Sequence, residues 1–407
     1  MNRLIRLAVG AVAIGGGLLA ARPATAQIMC NDASLTNPII VSGSSAFEPT
    51  LRQLAVKLAA EQFPSTVIYV SGTGLTASCA GVANAANQTD LSGIAGRYYT
   101  LSGTTITNNN CTFAAGQKTD VGISDVYYES CANVTQPKAA DIMDIAGPAQ
   151  AMLFIVPKAN TSTQYLTFKE AQTMYGCGVS ATRTIAGFAD PLGVFCRVPD
   201  SGTQITVAKN IGVPETVLVD PRCVPNSGTA GVVSGVMGYP MPQQAIGFIA
   251  ADAFDTNRAN FNALAFQSLG QTQAYYADSS TDVSDRKNVR DGHYTIWGYE
   301  HFIAKTTGGA LSTKAADFIG YVNGTKTSPN FDYVAIEGGA GVIPLCAMKV
   351  KRTTDGGLLS PYTPSDTCSC AFEAAITKTT PAACVACTGT GTSSCTGGKS
   401  CHHGFCE

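Results

Sequence analysis

An α/β fold with largely parallel sheets is what this sequence predicts, and three observations carry the prediction. Short β-rich runs alternate with helical patterns from about Ile39 to Val350. Strand-like runs end in turns of Gly, Ser and Thr that open onto helical patterns. The 407 residues, 45% of them hydrophobic, suffice for one two-lobed domain or two ordinary domains around a sizeable core.

The elements follow in order. Pro38-Ile39-Ile40-Val41 reads as a strand and Ser42 to Ala46 as a turn. Leu51, Leu54, Ala55 and Leu58 then recur at the spacing of one apolar helical face. Thr66 to Val70 is the next strand, ending in Ser71-Gly72-Thr73-Gly74, and Asp120 to Asp125 ends another strand-like run. Ala151 to Val156 is a strand, and Thr167-Phe168-Lys169-Glu170 is a capping box that opens a helix. Ala245 to Ile249 and the Tyr294 to Trp297 region are further strands.

Charge and cysteine content narrow the class. Only 13% of residues are charged and the formal net charge is −2, which gives no broad basic field and argues against nucleic-acid binding. Arg3 and Arg6, the apolar run Leu7 to Ala21 and Ala24-Thr25-Ala26 read as a signal peptide over residues 1–26, cleaved before Gln27. Ile28-Met29 before Cys30 lacks the small residue that lipid attachment requires, so the mature chain is expected in the periplasm or outside the cell, without lipid. Fifteen cysteines fit an oxidising compartment, and their pairing is not legible from sequence. Residues 353–367, rich in Gly and Pro, read as a linker. Residues 368–407 hold seven cysteines and few large apolar residues, a module that needs covalent staples. Within it, Cys384-x-x-Cys387 with His402-His403 reads as disulfide chemistry rather than a metal site. Gly397-Gly398-Lys399-Ser400 lacks the first glycine of a phosphate loop, and no cofactor is expected.

Three turns share one design: Gly43-Ser44-Ser45-Ala46, Ser71-Gly72-Thr73-Gly74 and Asp200-Ser201-Gly202-Thr203. A helix N-terminus leaves N–H groups unpaired and carries partial positive charge, so small residues and hydroxyls there can hold an anion. Arg197 emerges from the apolar run Leu192 to Cys196 and can offer paired donors to a tetrahedral oxyanion. Asp125 would be an acceptor in such a site. Phosphate near neutral pH keeps an O–H for it, whereas sulfate would present only lone pairs.

These segments, in this order, resemble the periplasmic phosphate-binding proteins of ABC transporters. The resemblance runs through Gly43 to Pro49, Gly72-Thr73, Gly122-Ile123-Ser124-Asp125, Arg197 to Thr203, Leu166-Thr167, Ala245 to Phe248 and Gly341 to Leu345, covering roughly residues 37–350. It implies two α/β lobes joined by hinge strands, with 27–148 and 297–352 in one and 149–296 in the other. It implies phosphate held in the cleft by Ser45, Ala46, Thr73, Asp125, Arg197, Ser201, Gly202 and Thr203, with Ser71, Thr76 or Ser78 as alternatives to Thr73. An importer's membrane component would be the partner, and no catalysis is implied. The chain departs from the family in carrying Pro199 two places after the arginine, where an acidic partner is usual; the acid here is Asp200. The tail lies outside the resemblance and is expected to contact a cell surface or matrix. An adhesion protein on the same fold is the alternative. A hydrolase is less supported, because the globular part has only His293 and His301 and no nucleophile elbow.

Overall fold

The computed structural model describes residues 28–62, 64–72, 74–176, 185, 187–214, 224–226, 228–328, 330–389, 391 and 395–407. The expected signal peptide and Thr73 lie outside these residues. The first strands, β1 (Ile28–Met29), β2 (Ile39–Gly43), β3 (Val67–Val70), β4 (Ala95–Ser102), β5 (Thr105–Thr112) and β6 (Val121–Ser124), form one wing of the main sheet. Two helices, α1 (Glu48–Leu58) and α2 (Ser78–Asn87), cover it. The helical face read from sequence is the buried one, with Leu51, Leu54, Ala55 and Leu58 all inside. Pro49 stands in the first turn of α1, where its missing N–H costs nothing.

The chain then crosses to a second wing in β7 (Ile142–Pro157), a strand of 16 residues. There follow β8 (Tyr165–Thr167), α3 (Phe168–Gly176), β9 (Phe195–Arg197), α4 (Gly202–Asn210), β10 (Val224–Asn226), α5 (Thr229–Gly238), β11 (Gly247–Ala250), α6 (Ala251–Asp255), β12 (Phe261–Ala263), β13 (Ala265–Gln267) and α7 (Lys287–Arg290). Thr167 and Glu170 form the expected reciprocal capping box, each accepting a hydrogen bond from the other's backbone N–H. The chain returns in β14 (Trp297–Thr307), continues through β15 (Ala310–Leu311), α8 (Thr313–Val322) and α9 (Tyr333–Ala340), and ends in β16 (Val350–Lys351), β17 (Ser360–Pro361), α10 (Ser369–Thr377), β18 (Cys401–His402) and β19 (Phe405–Cys406).

The main sheet is mixed rather than largely parallel. Its spine runs β1-β5-β4-β3-β2-β6-β14-β7-β11. Within it β2 is parallel to β3 and β6, but β14 is antiparallel to both β6 and β7. The reason is the path: the chain leaves one lobe in β7 and comes back in β14, so the two crossing strands must oppose each other. The N-terminal half of β7 pairs β14 while its C-terminal half pairs β11 and β12, which makes these two strands the hinge. The register of β14 on β7 slips between Tyr299 and His301, an irregularity that brings extra twist at the crossing. The lobe boundaries expected near 148 and 297 fall inside β7 and at the first residue of β14.

Each lobe has its own aromatic core. Phe47, Phe302 and Phe318 meet edge to face in the first, and Phe154, Tyr175, Phe248 and Phe266 cluster in the second. Each such side chain contributes roughly 1.5–3 kcal/mol on burial. Disulfides add cross-links: Cys30–Cys111 ties β1 to β5, and Cys79–Cys131 ties the start of α2 to the loop after β6. Cys196 is disulfide-bonded as well. The seven cysteines of 368–407 are all paired, as 370–384, 387–401 and 395–406, with Cys368 bound to Cys346 of the preceding region. Cys384 and Cys387 therefore belong to two different bridges, as disulfide chemistry and an oxidising compartment require.

The tail does not hang free. Phe372 of α10 is fully buried and packs on Gly338 of α9, and Arg290 reaches Glu373 at 2.6 Å. Nor is the Gly- and Pro-rich stretch before it without anchors. Arg352 stacks 4.1 Å from the Trp297 ring and donates to the Thr295 and Trp297 carbonyls, while Asp355 accepts from Tyr127 N–H and Ser130 Oγ. These are single polar contacts that hydrophobic periodicity does not register.

Two outcomes test this packing. Gly43 has φ +122° and ends β2, and an added Cβ would stand 2.0 Å from the Ile123 carbonyl oxygen. Gly43→Ala should destabilise the protein by at least about 2 kcal/mol in urea unfolding, through strain and clash together. Glu337 is fully buried with both carboxyl oxygens unpartnered among the described residues, and burial holds it well above the ordinary carboxylate range. Between the unfolded and the folded value the native state binds the extra proton, so stability must fall as pH rises through that window. Glu337→Gln should flatten this loss between pH 5 and pH 8 in thermal melts, and an unchanged slope would assign it to other groups.

Candidate functional site

The site forms where the end of β6, the start of α2 and the start of α4 converge. β6 delivers Asp125, 2% exposed, at its C-terminal end. Parallel pairing of β2 with β6 sets Gly43 beside Ile123, so the Ser44-Ser45-Ala46 turn leaves the sheet next to Asp125. Ser44 Oγ donates to Asp125 Oδ1 in a short hydrogen bond and itself accepts from the Ala46 N–H at 3.1 Å. From the other lobe, Thr203 Oγ1 donates to Asp125 Oδ2 at 3.3 Å. One carboxylate thus accepts hydrogen bonds from both lobes.

Gly202 explains how close the lobes come. A Cβ there would stand 2.4 Å from Ser78 Oγ and 2.7 Å from Asp125 Cβ, so the first turn of α4 rests directly on the opposite lobe. Beside it, Cys79 N–H donates to the Asp200 carbonyl at 3.2 Å. Ser201 holds the N-cap position of α4, yet its side chain makes no capping bond. Its buried hydroxyl and the first-turn N–H groups remain available to an anion.

Arg197 ends β9 and is 3% exposed. Its Nη1 donates to Thr229 Oγ1 at 3.1 Å and its Nη2 to Ser45 Oγ at 3.5 Å, while its backbone N–H donates to Gln204 Oε1 at 2.8 Å. The Nε–H is buried without a partner among the described residues. Asp200 is exposed and takes no part in supporting the guanidinium; Thr229, at the start of α5, does so instead. A hydroxyl orients the guanidinium without neutralising it, and Asp125 acts on its charge from across the site.

Of the residues expected from sequence, Ser45, Ala46, Asp125, Arg197, Ser201, Gly202 and Thr203 come together here, and Thr73 lies outside the described residues. Of its alternatives, Ser78 opens α2 and its Oγ accepts from the Asp125 N–H at 3.3 Å. Sequence reasoning missed Ser44, Gln204 and Thr229. Ser44 stood in the right turn, and the first hydroxyl proves to hold the aspartate while the second faces the arginine. Thr229 carried no local signal, because it reaches the site from a distant element.

Electrostatics follow from burial. Desolvation pushes Asp125 above the ordinary carboxylate range, opposed by Ser44, Arg197 and Thr203. Desolvation lowers Arg197, opposed by Asp125. Asp252 of α6 is pushed up to about 7 by burial and accepts from Gln150 Nε2 at 2.7 Å. It lies with Thr229, Pro49 and Gln53 on the wall of a cleft of ≈ 600 Å³, whose rim includes Ile376 of α10. An arrangement of one desolvated cation, several O–H and N–H donors and a single acceptor suits a small anion that carries one proton.

No family model matches this chain, and no curated protein matches it. Solved structures do. One, described as a phosphate ABC transporter substrate-binding protein with bound phosphate from Clostridium perfringens, superposes with a TM-score of 0.51 at 16% identity, covering 76% of this chain and 100% of that one. Another, an ABC-type phosphate transport receptor from Vibrio cholerae, gives a TM-score of 0.47 at 17% identity and covers 75% and 99%. This chain therefore shares the two-lobed α/β fold of the Clostridium perfringens substrate-binding protein, with a disulfide-rich C-terminal region.

Proposed function

We propose that this chain is an exported solute-binding protein that captures inorganic phosphate between its lobes, without catalysis, for delivery to the membrane component of an ABC importer. The observation that carries the reading is the pairing of a buried arginine, without an ion-pair partner among the described residues, with a buried aspartate that accepts hydrogen bonds across the α4 N-terminus. Arg197, Ser201, Thr203 and the backbone N–H groups of α4 supply donors to the phosphate oxygens, and Asp125 accepts the phosphate proton. A fully deprotonated oxyanion of the same shape would set lone pairs against Asp125, a loss of about 1–3 kcal/mol or more in a desolvated site. The shared fold and the phosphate named for the solved neighbour support this reading. The disulfides and the signal-like N-terminus support export.

The two histidines of the globular region support binding over hydrolysis. His301 is buried, with Nδ1 2.5 Å from Asp144 and the Tyr127 ring tilted against its own, 4.1 Å between centroids. His293 stacks on Tyr275. Neither contacts Asp125, Ser201 or Arg197.

Calorimetry on the mature protein decides the matter. Phosphate should bind and sulfate should not. Arg197→Ala should weaken phosphate at least about tenfold with the fold intact, as expected for loss of a charge-assisted donor. Asp125→Asn should admit sulfate, because the amide can donate where the carboxylate can only accept. Equal binding of both anions by the wild type, or binding of neither, would sink the phosphate assignment. Turnover of a phosphomonoester would sink the claim of binding without catalysis.

A further inference from the structure

Beneath the cage lies a second acid with no donor of its own. Glu300 is fully buried, and neither of its carboxyl oxygens meets an N–H or O–H donor among the described residues. The sheet register supplies its neighbour. His301 of β14 pairs with Ser124 of β6, so Glu300 and Asp125 are the next residues beyond the last pair of these two antiparallel strands. Both are buried, and each carboxyl bears directly on the ionisation of the other.

Two carboxyls in contact inside a protein do not both ionise, since each charge lacks water and repels the other. The surroundings say which one keeps the proton. Asp125 accepts from Ser44 and Thr203 and feels Arg197, all of which favour its charged form. Glu300 has none of these. The charged groups that face it are Asp125 beyond β6 and Asp252 on α6, both acids, and burial together with those two charges holds Glu300 well above its ordinary range. On β7, Tyr299 pairs with Ala149 and His301 with Ala146, so the stretch beside Glu300 is Gly147-Pro148, which carries no charge.

We infer that Glu300 is a positioning residue for anion selection, a neutral acid whose O–H donates to Asp125 and so keeps Asp125 ionised and acceptor-only toward the cleft. The inference rests on the phosphate reading. A buried aspartate without that donor takes up a proton more readily, because burial is the largest effect acting on it and the contact with Glu300 opposes burial. A protonated Asp125 could turn its O–H toward a fully deprotonated oxyanion, and the reason for rejecting sulfate would be lost. The strand register thus makes β14, a hinge strand, part of the selectivity of the site.

Calorimetry with phosphate and with sulfate at pH 7, on wild type, E300Q and E300L, tests this. The amide of E300Q is neutral and still donates to Asp125, so phosphate affinity should stay within about threefold and sulfate should still be rejected. E300L removes the donor, and the preference for phosphate over sulfate should narrow by about tenfold or more. An E300L protein as selective as wild type overturns the inference alone. A change of more than about tenfold in phosphate affinity for E300Q also overturns it, since Glu300 would then have been charged. Should E300L fail to fold in thermal melts, proton counting decides: measured in buffers of different ionisation heat, wild type and E300Q should exchange equal numbers of protons on binding phosphate, and a difference of about one proton overturns the inference. A wild type that does not distinguish the two anions overturns the phosphate reading and this inference with it.

Discussion

Asp125 is the point at which two lobes become one site. Its carboxyl accepts Ser44 from the first lobe and Thr203 from the second, inside a region from which water is excluded. A charge buried this deeply is tolerable only while donors surround it. Closure of the lobes and ionisation of Asp125 therefore depend on each other. The glycine at the start of α4 permits the approach, and the mixed sheet that runs through β7 and β14 fixes the direction from which the lobes approach.

The arginine opposite is arranged differently from the family pattern that its sequence neighbourhood resembles. Pro199 occupies the usual place of an acidic partner and Asp200 faces solvent. Support comes from the Thr229 hydroxyl at the head of α5, and from Gln204, which accepts the Arg197 backbone N–H and holds the strand end against α4. A hydroxyl orients a guanidinium without cancelling its charge. In a low-dielectric cleft that leaves more of the attraction for an anion.

The C-terminal region joins the same mechanical unit. Cys346–Cys368 staples it to the chain just after α9, α10 packs on α9, and Ile376 reaches the rim of the cleft. Before it, Arg352 and Asp355 grip Trp297, Thr295, Tyr127 and Ser130 near the hinge. The expectation of a linker came from low periodicity and from glycine and proline. Those signals report the absence of regular structure, and they carry no information on whether irregular chain is anchored.

Local patterns in the sequence determined much. The buried face of α1, the capping box at Thr167 and the hydroxyl-rich turns at helix starts depend on residues within a few places of one another, so spacing alone reveals them. The composition of the cage was legible for the same reason: Arg197 and Ser201 to Thr203 are neighbours in the chain. Tertiary structure decided what depends on distant contact. It gave Ser44 rather than Ser45 to Asp125, made Thr229 the partner of Arg197, and turned an expected largely parallel sheet into a mixed one. Strand register and lobe crossing bring together residues as far apart as Ser44 and Asp125, 81 places along the chain, and no local periodicity encodes which of them will meet.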